Sequence, residues 1–319
     1  MAVIREELLG RLRETLAKAG FFISDPHNIR SISFDIIARR DKELLIIKAL
    51  SNIDSLSGDD AEELRILATT LGGSPMVIGL HSSSAKLDNG ILYSRFGIPI
   101  ISEATFHEHM LEGVPPFVYA APGGLYVRLD GELLRKIRED RNISLGMLAE
   151  IAGVSRKAIQ MYESGMGAMV EIAAKLEDFL KEPIVVPLNP FSYTLEVAKT
   201  LRTFDDFEGL NRDVFEMLKE IGYSVTPTIR CPFDALASEH DVLLLTGIEE
   251  DMKMMARKAR VVGNISRVTE KRSVIFVKQD TSTESIDGTP LITKEELRRA
   301  DDADDVLELI LKREKRKKA

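Results

Sequence analysis

The sequence predicts a mixed fold class, in which two duplicated α/β lobes flank a central all-α domain. Apolar and charged segments of the first part of the chain return in the same order in the last part. The stretch 143–165 between them has the apolar spacing of short helices, and proline-rich segments separate it from its neighbours. The predicted domains are an α/β lobe over 1–112, a linker with a β-hairpin over 113–130, a helical domain over 131–189 and a second α/β lobe with a basic C-terminal tail over 190–319.

Composition and charge exclude several classes of protein. With 44% hydrophobic and 29% charged residues in 319 positions, the chain resembles a soluble globular protein of two or three domains. No apolar run approaches the ~20 residues that span a bilayer, and no signal peptide is recognisable, so a cytoplasmic protein without a membrane partner is expected. The single cysteine, Cys231, is expected to be buried and structural. A net charge of −8 requires any DNA contact to use a local patch.

The first lobe begins with an amphipathic helix, whose leucines recur at helical spacing as far as Gly20. Apolar runs bounded by charged or glycine-containing turns then predict strands. The predicted elements, in order, are a helix over 5–19, a strand from 21–23, strands over 32–38 and 44–50 joined by a charged turn over 39–43, a helix over 59–71, strands over 76–80 and 99–101, and a helix over 103–111.

The second lobe repeats this order. A helix over 214–221 ends at Gly222, and a strand begins at Tyr223. Further matches pair 233–234 with 34–35, 243–245 with 44–46, 274–277 with 76–80 and 288–292 with 97–101. Because all of these matches keep the same order, we interpret the two lobes as copies of one unit.

The central stretch 143–165, ISLGMLAEIAGVSRKAIQMYESG, predicts two short helices and a tight turn. Ser144 and Ser155 are placed to cap the helix N-termini, because their hydroxyl oxygens can accept bonds from free backbone N–H groups. Gly153 stands where the first helix must stop, since glycine accepts a left-handed backbone without steric cost. The residues predicted to form the core of this motif are Leu148, Ala149, Gly153, Val154, Ile159 and Tyr162.

This spacing resembles the helix-turn-helix of the Cro/lambda-repressor family, including the ending Glu163-x-Gly165. The resemblance implies that the second helix, at about 155–164, enters the DNA major groove. Leu145 departs from the family, because a phosphate-contacting glutamine is usual there. A hairpin used only for dimerisation is the alternative interpretation. The residues expected to bind DNA are Ser144, Ser155, Arg156, Lys157, Gln160, Met161 and Ser164.

The lobes resemble the restriction-endonuclease-like fold, whose active members hold magnesium with an aspartate and an acid-x-Lys motif on the next strand. In the first lobe, Asp35 and Lys48 fall at these positions, but Ile46 replaces the second acid. In the second lobe only Asp234 remains, with Leu245 and Gly247 at the other two positions. We therefore expect degenerate, inactive sites with no metal. An active nuclease would need Glu43 or an N-terminal glutamate to substitute for the missing acid.

Across nearly its full length, the chain is similar to a family of archaeal helix-turn-helix transcription regulators, with GGLYVRLDGELLRKIR leading into SLGMLAEIAGVS. The resemblance implies a non-enzymatic regulator, a repressor or an activator, that binds double-stranded DNA as a homodimer. It also leaves room for an unknown small-molecule effector. No cofactor is expected, because the paired glycines do not form a G-x-G-x-x-G loop. The competing hypotheses are a structure-specific, magnesium-dependent nuclease guided by the helix-turn-helix and an interaction scaffold.

Overall fold

A computed structural model describes residues 2–26, 33–192, 207–278 and 283–315. The chain forms two compact units, and each is described by itself. The first unit comprises residues 1–19, 49–57 and 76–194, and the second comprises 20–48, 58–75 and 195–319. The predicted amino-terminal lobe thus supplies residues to both units. Within the described residues, no helix is both long enough and apolar enough to cross a bilayer.

The helices and strands are numbered in chain order. The helices are α1 (Ala2–Lys18), α2 (Gly58–Leu71), α3 (Glu103–His107), α4 (Gly131–Asp140), α5 (Leu145–Ala152), α6 (Arg156–Glu163), α7 (Val170–Leu180), α8 (Gly209–Glu220), α9 (Met252–Thr269), α10 (Lys294–Arg298) and α11 (Ala303–Lys315). The strands are β1 (Phe22–Ile23), β2 (Ile36–Arg40), β3 (Glu43–Asn52), β4 (Ser74–His81), β5 (Ile91–Arg95), β6 (Ile98–Ser102), β7 (Val118–Ala121), β8 (Gly124–Leu129), β9 (Ala168–Met169), β10 (Val185–Val186), β11 (Ser224–Pro227), β12 (Ala235–Glu239), β13 (Val242–Glu249), β14 (Arg272–Val277), β15 (Ser285–Ile286) and β16 (Thr289–Thr293).

The first unit contains a sheet that leads directly into the helical motif. Its strands follow the order β4-β6-β5-β7-β8-β10, and β9 pairs with β8. The hairpin predicted within 113–130 is confirmed, because β7 and β8 pair antiparallel with Ala121 opposite Gly124. Two side chains of β8, Val127 and Leu129, are buried in one hydrophobic core with residues of α4 to α7. The hairpin is therefore part of the helical core and does more than connect two domains.

The second unit contains a separate sheet with the order β11-β12-β13-β14-β16-β15. Its first three strands pair antiparallel, as β1, β2 and β3 do. Its last three strands combine a parallel pair (β14 with β16) and an antiparallel pair (β15 with β16), as β4, β6 and β5 do. The strand pairings therefore agree between the two segments that the sequence pattern matched. Helix α9 packs on β13, on β14 and on β2.

The charged turn predicted over 39–43 is shorter than expected. β2 extends through Arg40 and β3 begins at Glu43, so that Asp41 and Lys42 alone form the turn, with Asp41 at φ 51°. Two-residue turns with positive φ suit the twist of an antiparallel hairpin. The side chains of Arg40 and Glu43 form an ion pair of 3.0 Å, which is compatible with an exposed strand end. The charged residues therefore form a two-residue turn and the strand ends beside it, and they do not form a longer loop.

Candidate nucleic-acid interface

The two central helices form as the sequence predicts. The Ser144 hydroxyl oxygen accepts a hydrogen bond from the backbone N–H of Met147 (3.1 Å), which caps α5. The Ser155 hydroxyl oxygen accepts one from the backbone N–H of Ala158 (3.1 Å), which caps α6. Gly153 ends α5 at φ 72°. The three-residue turn between the helices is thus held by local backbone hydrogen bonds, as the spacing required.

The inner faces of α5 and α6 are closely packed. Leu148, Ala149, Ile159 and Tyr162 are all buried and belong to one core. Burial raises the pKa of the Tyr162 phenol, as expected for a ring removed from water. Val154 was expected to be a buried plug but is half-buried. The turn lies at the surface, so that its valine covers only the edge of the core.

The outer face of α6 is exposed and carries polar, basic and apolar side chains. Among the described residues, Arg156 and Lys157 form no ion pair, so that their donors face solvent. Met161 is 43% exposed and adds an apolar contact to this face. The Ser164 hydroxyl donates to the Gln160 carbonyl (2.9 Å), so it closes the helix rather than facing outward as a free donor. A surface depression of about 500 Å³ lies here, lined by Lys157, Gln160, Met161, Ser164, Gly165 and Met166.

An ion pair that the sequence analysis missed anchors the end of α6 to α4. The Arg138 guanidinium donates to both carboxylate oxygens of Glu163, at 2.5 Å from Nε and 3.1 Å from Nη2. The two side chains are only 14% and 9% exposed. The hydrogen bonds to Glu163 raise the pKa of Arg138, and partial burial opposes this shift. The signal was present in the sequence, because Arg138 follows Leu134 by four residues and therefore lies on the inward side of α4.

Close approach of α4 to α6 depends on a residue without a side chain. A Cβ at Gly131, the first residue of α4, would lie 2.6 Å from the carbonyl oxygens of both Tyr162 and Glu163. No real Cβ contact is that short, so a larger residue would push the two helices apart. Gly131 and the Arg138–Glu163 pair together fix the position of α6 against α4.

In the second unit, the strands place Asp35 and Asp234 equivalently. The backbone N–H of Asp35 donates to the Ile47 carbonyl and that of Asp234 donates to the Thr246 carbonyl, both at 2.8 Å. Lys48 follows Ile47 and is 7% exposed. The positions of the missing second acid, Ile46 and Leu245, are fully buried among apolar side chains.

Glu43 does not lie where it could replace the missing acid. It pairs with Arg40 at the turn end of the hairpin, whereas Asp35 lies at the other end, where its backbone N–H donates to the Ile47 carbonyl. Four residues of strand separate Glu43 from Ile47, which corresponds to about 13 Å. The carboxylate of Glu43 also forms the ion pair with Arg40. These residues therefore do not fit a metal site built from two neighbouring carboxylates.

Asp234 has a cationic partner that the sequence analysis did not find. We expected it to have neither partner on its strands, but the Lys258 ammonium, from α9, lies 2.7 Å from Asp234 Oδ2. The same carboxylate oxygen accepts from the backbone N–H of Ile248 (2.7 Å), and Lys258 Nζ lies 3.9 Å from Glu249. Burial raises the pKa of Asp234, while Lys258 opposes this shift. Spacing along strands could not reveal a lysine supplied by a helix.

The strand position that holds Lys48 in the first lobe has no space for a side chain in the second lobe. Gly247 follows Thr246 there, and a Cβ at Gly247 would lie 2.4 Å from Cδ1 of Ile275. Ile275 is fully buried on β14. No lysine side chain fits at this position unless the core rearranges.

Comparison with known proteins identifies two domains in the chain. Residues 5–116 match the family model of a PD-(D/E)XK superfamily domain, and residues 134–186 match that of a helix-turn-helix domain. No solved structure matches the chain.

Full-length relatives occur in several archaea. A protein of Methanocella arvoryzae is 41% identical over 98% of both chains, and one of Halobacterium salinarum is 38% identical over 97% of this chain and 98% of its own. A protein of Methanosarcina barkeri is 35% identical over 97% of both chains. All three are provisionally named HTH-type transcriptional regulatory proteins. With the capped helix pair in place, these similarities show that the chain belongs to this archaeal family of HTH-type regulators and is a DNA-binding protein of mixed α/β content.

Proposed function

We propose that this protein is a sequence-specific transcription regulator that places α6, with its cap and end over 155–164, in the major groove of duplex DNA. The observation that carries the proposal is the exposed outer face of α6, whose cations have no ionic partner among the described residues. A hairpin used only for dimerisation would more naturally expose an apolar face at α6. The ion pair between Arg138 and Glu163 supports the proposal, because it holds the end of α6 against α4 while the outer face of α6 stays exposed.

The residues of this face have distinct chemical capacities. Gln160 can both donate and accept, as the edge of an adenine requires. Lys157 offers a flexible point charge to phosphate, and Ser155 directs the N-terminus of α6 toward phosphate. Met161 can contact the methyl group of thymine. Ser144 caps the neighbouring helix, and Ser164 serves mainly to close α6.

The direct test selects genomic fragments that the full chain binds and then measures variants on the selected sites. Replacing Gln160 with alanine should relax the preference at one base pair by about 1–3 kcal/mol. The pair of changes Arg156→Ala and Lys157→Ala should abolish detectable binding at physiological salt. Lys136→Ala, an exposed lysine of α4, serves as the matched loss of one charge outside α5 and α6. Unchanged binding by the double variant would contradict the assignment of α6.

We further propose that the regulator acts as a homodimer. One such motif reads only a few base pairs, so specificity requires two half-sites about 34 Å apart. The net charge of −8 also makes tight binding by a single copy unfavourable. The α/β lobes are the proposed dimer surfaces. Analytical ultracentrifugation should detect a dimer at micromolar concentration, and a monomer both alone and on a palindromic site would refute it.

The alternative function is a structure-specific nuclease, which the PD-(D/E)XK domain at 5–116 and the placement of Asp35 and Lys48 favour. We propose instead that both copies of the lobe are catalytically silent. A single carboxylate holds magnesium weakly among its waters, and Asp234 is already paired with Lys258. The lobes would then serve to hold the helix-turn-helix, to dimerise or to bind an effector.

Incubation with linear, flapped and four-way-junction DNA in magnesium or manganese tests whether the lobes lack nuclease activity. We expect no cleavage of any of the three substrates by the full chain. Asp35→Asn provides the control, since it removes the carboxylate that a nuclease would need. Cleavage that the full chain supports and Asp35→Asn abolishes would establish the nuclease alternative.

A further inference from the structure

Gly146 and Arg156 are in contact although they belong to different helices. Gly146 is the second residue of α5, and Arg156 is the first residue of α6. A Cβ at Gly146 would lie 3.1 Å from both Nε and Nη2 of Arg156. The guanidinium therefore lies beside the first turn of α5, in space that any side chain at 146 would occupy in part.

The backbone at Gly146 does not itself require glycine. Its φ lies outside the left-handed region, unlike that of Gly153. Glycine inside a helix destabilises it by about 1 kcal/mol relative to alanine. The contact with Arg156 offers a reason for glycine here, because it leaves room for a planar guanidinium on the helix surface.

The orientation of Arg156 separates it from the rest of the outer face of α6. Side chains in a helix lean toward its N-terminus, which directs Arg156 back toward α5. The depression lined by Lys157, Gln160 and Met161 does not include Arg156. The guanidinium also forms no ion pair among the described residues, and it is exposed.

We infer that Arg156 contacts a phosphate of the DNA backbone from a position fixed by Gly146 and that it does not read a base. This inference rests on the proposed function and assigns phosphate contact and base contact to different residues of the α6 face. A planar guanidinium matches two phosphate oxygens, and the absence of a side chain at Gly146 leaves room for it beside the N-terminal turn of α5. Leu145, which precedes Gly146, has no side-chain donor, so Arg156 supplies the donors at this end of α5. Base reading is left to Gln160 and Met161.

The experiment measures affinity for two probes over a series of salt concentrations. One probe is a pool of random-sequence 30-bp duplexes, and the other is a selected genomic fragment together with its single-base variants. Arg156→Ala should weaken both by about tenfold, as expected for loss of a hydrogen bond to a charged group. The slope of log affinity against log salt should fall by about 0.9, the value for one phosphate. The order of preference among the single-base variants should stay unchanged, and Arg156→Lys should restore only part of the affinity.

Gly146→Ala tests the positioning directly. It should weaken binding to both probes although the fold remains at least as stable in thermal unfolding, because the added methyl group displaces the guanidinium. Gly10→Ala is the matched control, since Gly10 lies in α1 with no atom within 4 Å of its Cβ position. Gly10→Ala should bind both probes like the parent chain.

Three results would overturn the inference. The first is an Arg156→Ala variant that loses preference at one base pair, which would make Arg156 a base reader. The second is Arg156→Ala binding within twofold of the parent chain, and the third is Gly146→Ala binding as tightly as Gly10→Ala. If the parent chain binds neither probe, the proposed function fails and this inference fails with it. If the parent chain binds and any of the three results appears, the inference alone fails.

Discussion

The ion pair between Arg138 and Glu163 should hold α6, the proposed recognition helix, in place against α4. Arg138→Met keeps an unbranched side chain and removes the cation, which leaves the carboxylate of Glu163 unpaired at 9% exposure. Removing one partner of a buried ion pair costs about 3–5 kcal/mol. Because Arg138 is 14% exposed and water reaches the site, we expect about 3 kcal/mol, the lower end of that range. DNA binding should weaken in parallel, because α6 would fray from its C-terminal end.

Hydrogen exchange of the amides in 143–165, read by mass spectrometry, measures the free energy with which this helix opens. The double change Arg138→Met and Glu163→Met replaces both partners by apolar side chains and should recover most of the loss. Arg135→Met is the matched control, because its pair with Glu139 is exposed, and it should leave exchange unchanged. If Arg138→Met matched Arg135→Met, or if the double variant were as unstable as the single one, the pair would not anchor α6.

Three further predictions concern the second unit. Lys258→Met leaves the Asp234 carboxylate without its cation and should cost about 2–3 kcal/mol in urea unfolding at pH 8. Because burial raises the pKa of Asp234, the loss should shrink as the pH falls and the carboxyl takes up a proton, and a loss that does not change with pH would argue against this reasoning. Burial raises the pKa of Tyr223 to about 12, so the stability that its neutral phenol contributes below pH 10 should decline as the pH rises from 10 toward 12. Tyr223→Phe should remove that decline. At pH 7 the same variant should lose about 1 kcal/mol, because the hydrogen bond to the Ala303 carbonyl is gone. Gly247→Ala should lower the free energy of unfolding by about 1–3 kcal/mol in the same assay, because the added methyl group overlaps Ile275. Adding Ile275→Val should restore part of this stability. A Gly247→Ala variant as stable as the parent chain would show that the core rearranges without cost.

The helix-turn-helix could be predicted closely because local chemistry determines it. Ser144, Gly153 and Ser155 act through backbone groups within four residues, and such interactions can be read from spacing alone. The similar strand pairings of the two lobes could be expected from the repeated apolar pattern for a similar reason. Period-two and period-3.6 spacing report which face of an element is buried.

Contacts between distant elements could not be predicted in this way. Arg138 reaches Glu163 from another helix, and Lys258 reaches Asp234 from a helix that follows its strand. Cys231 was expected to be buried but is half-buried, with its thiol donating to Glu63 Oε1 at 3.3 Å. The basic tail lies partly outside the described residues, so its contribution to DNA binding stays a prediction.

The place of β8 in the helical core limits how this protein could have been assembled from parts. Helix-turn-helix domains are commonly treated as independent modules that recombination can move between genes, with domain boundaries in the connecting segments. Here a cut before α4 would remove Val127 and Leu129 from the core and deprive β10 of the strand with which it pairs. A transplantable fragment must therefore carry the hairpin from Val118 onward and extend through Val186. Because β7 also pairs with β5, even that fragment would expose a strand edge, so the helical core and the sheet behind it form one structural unit.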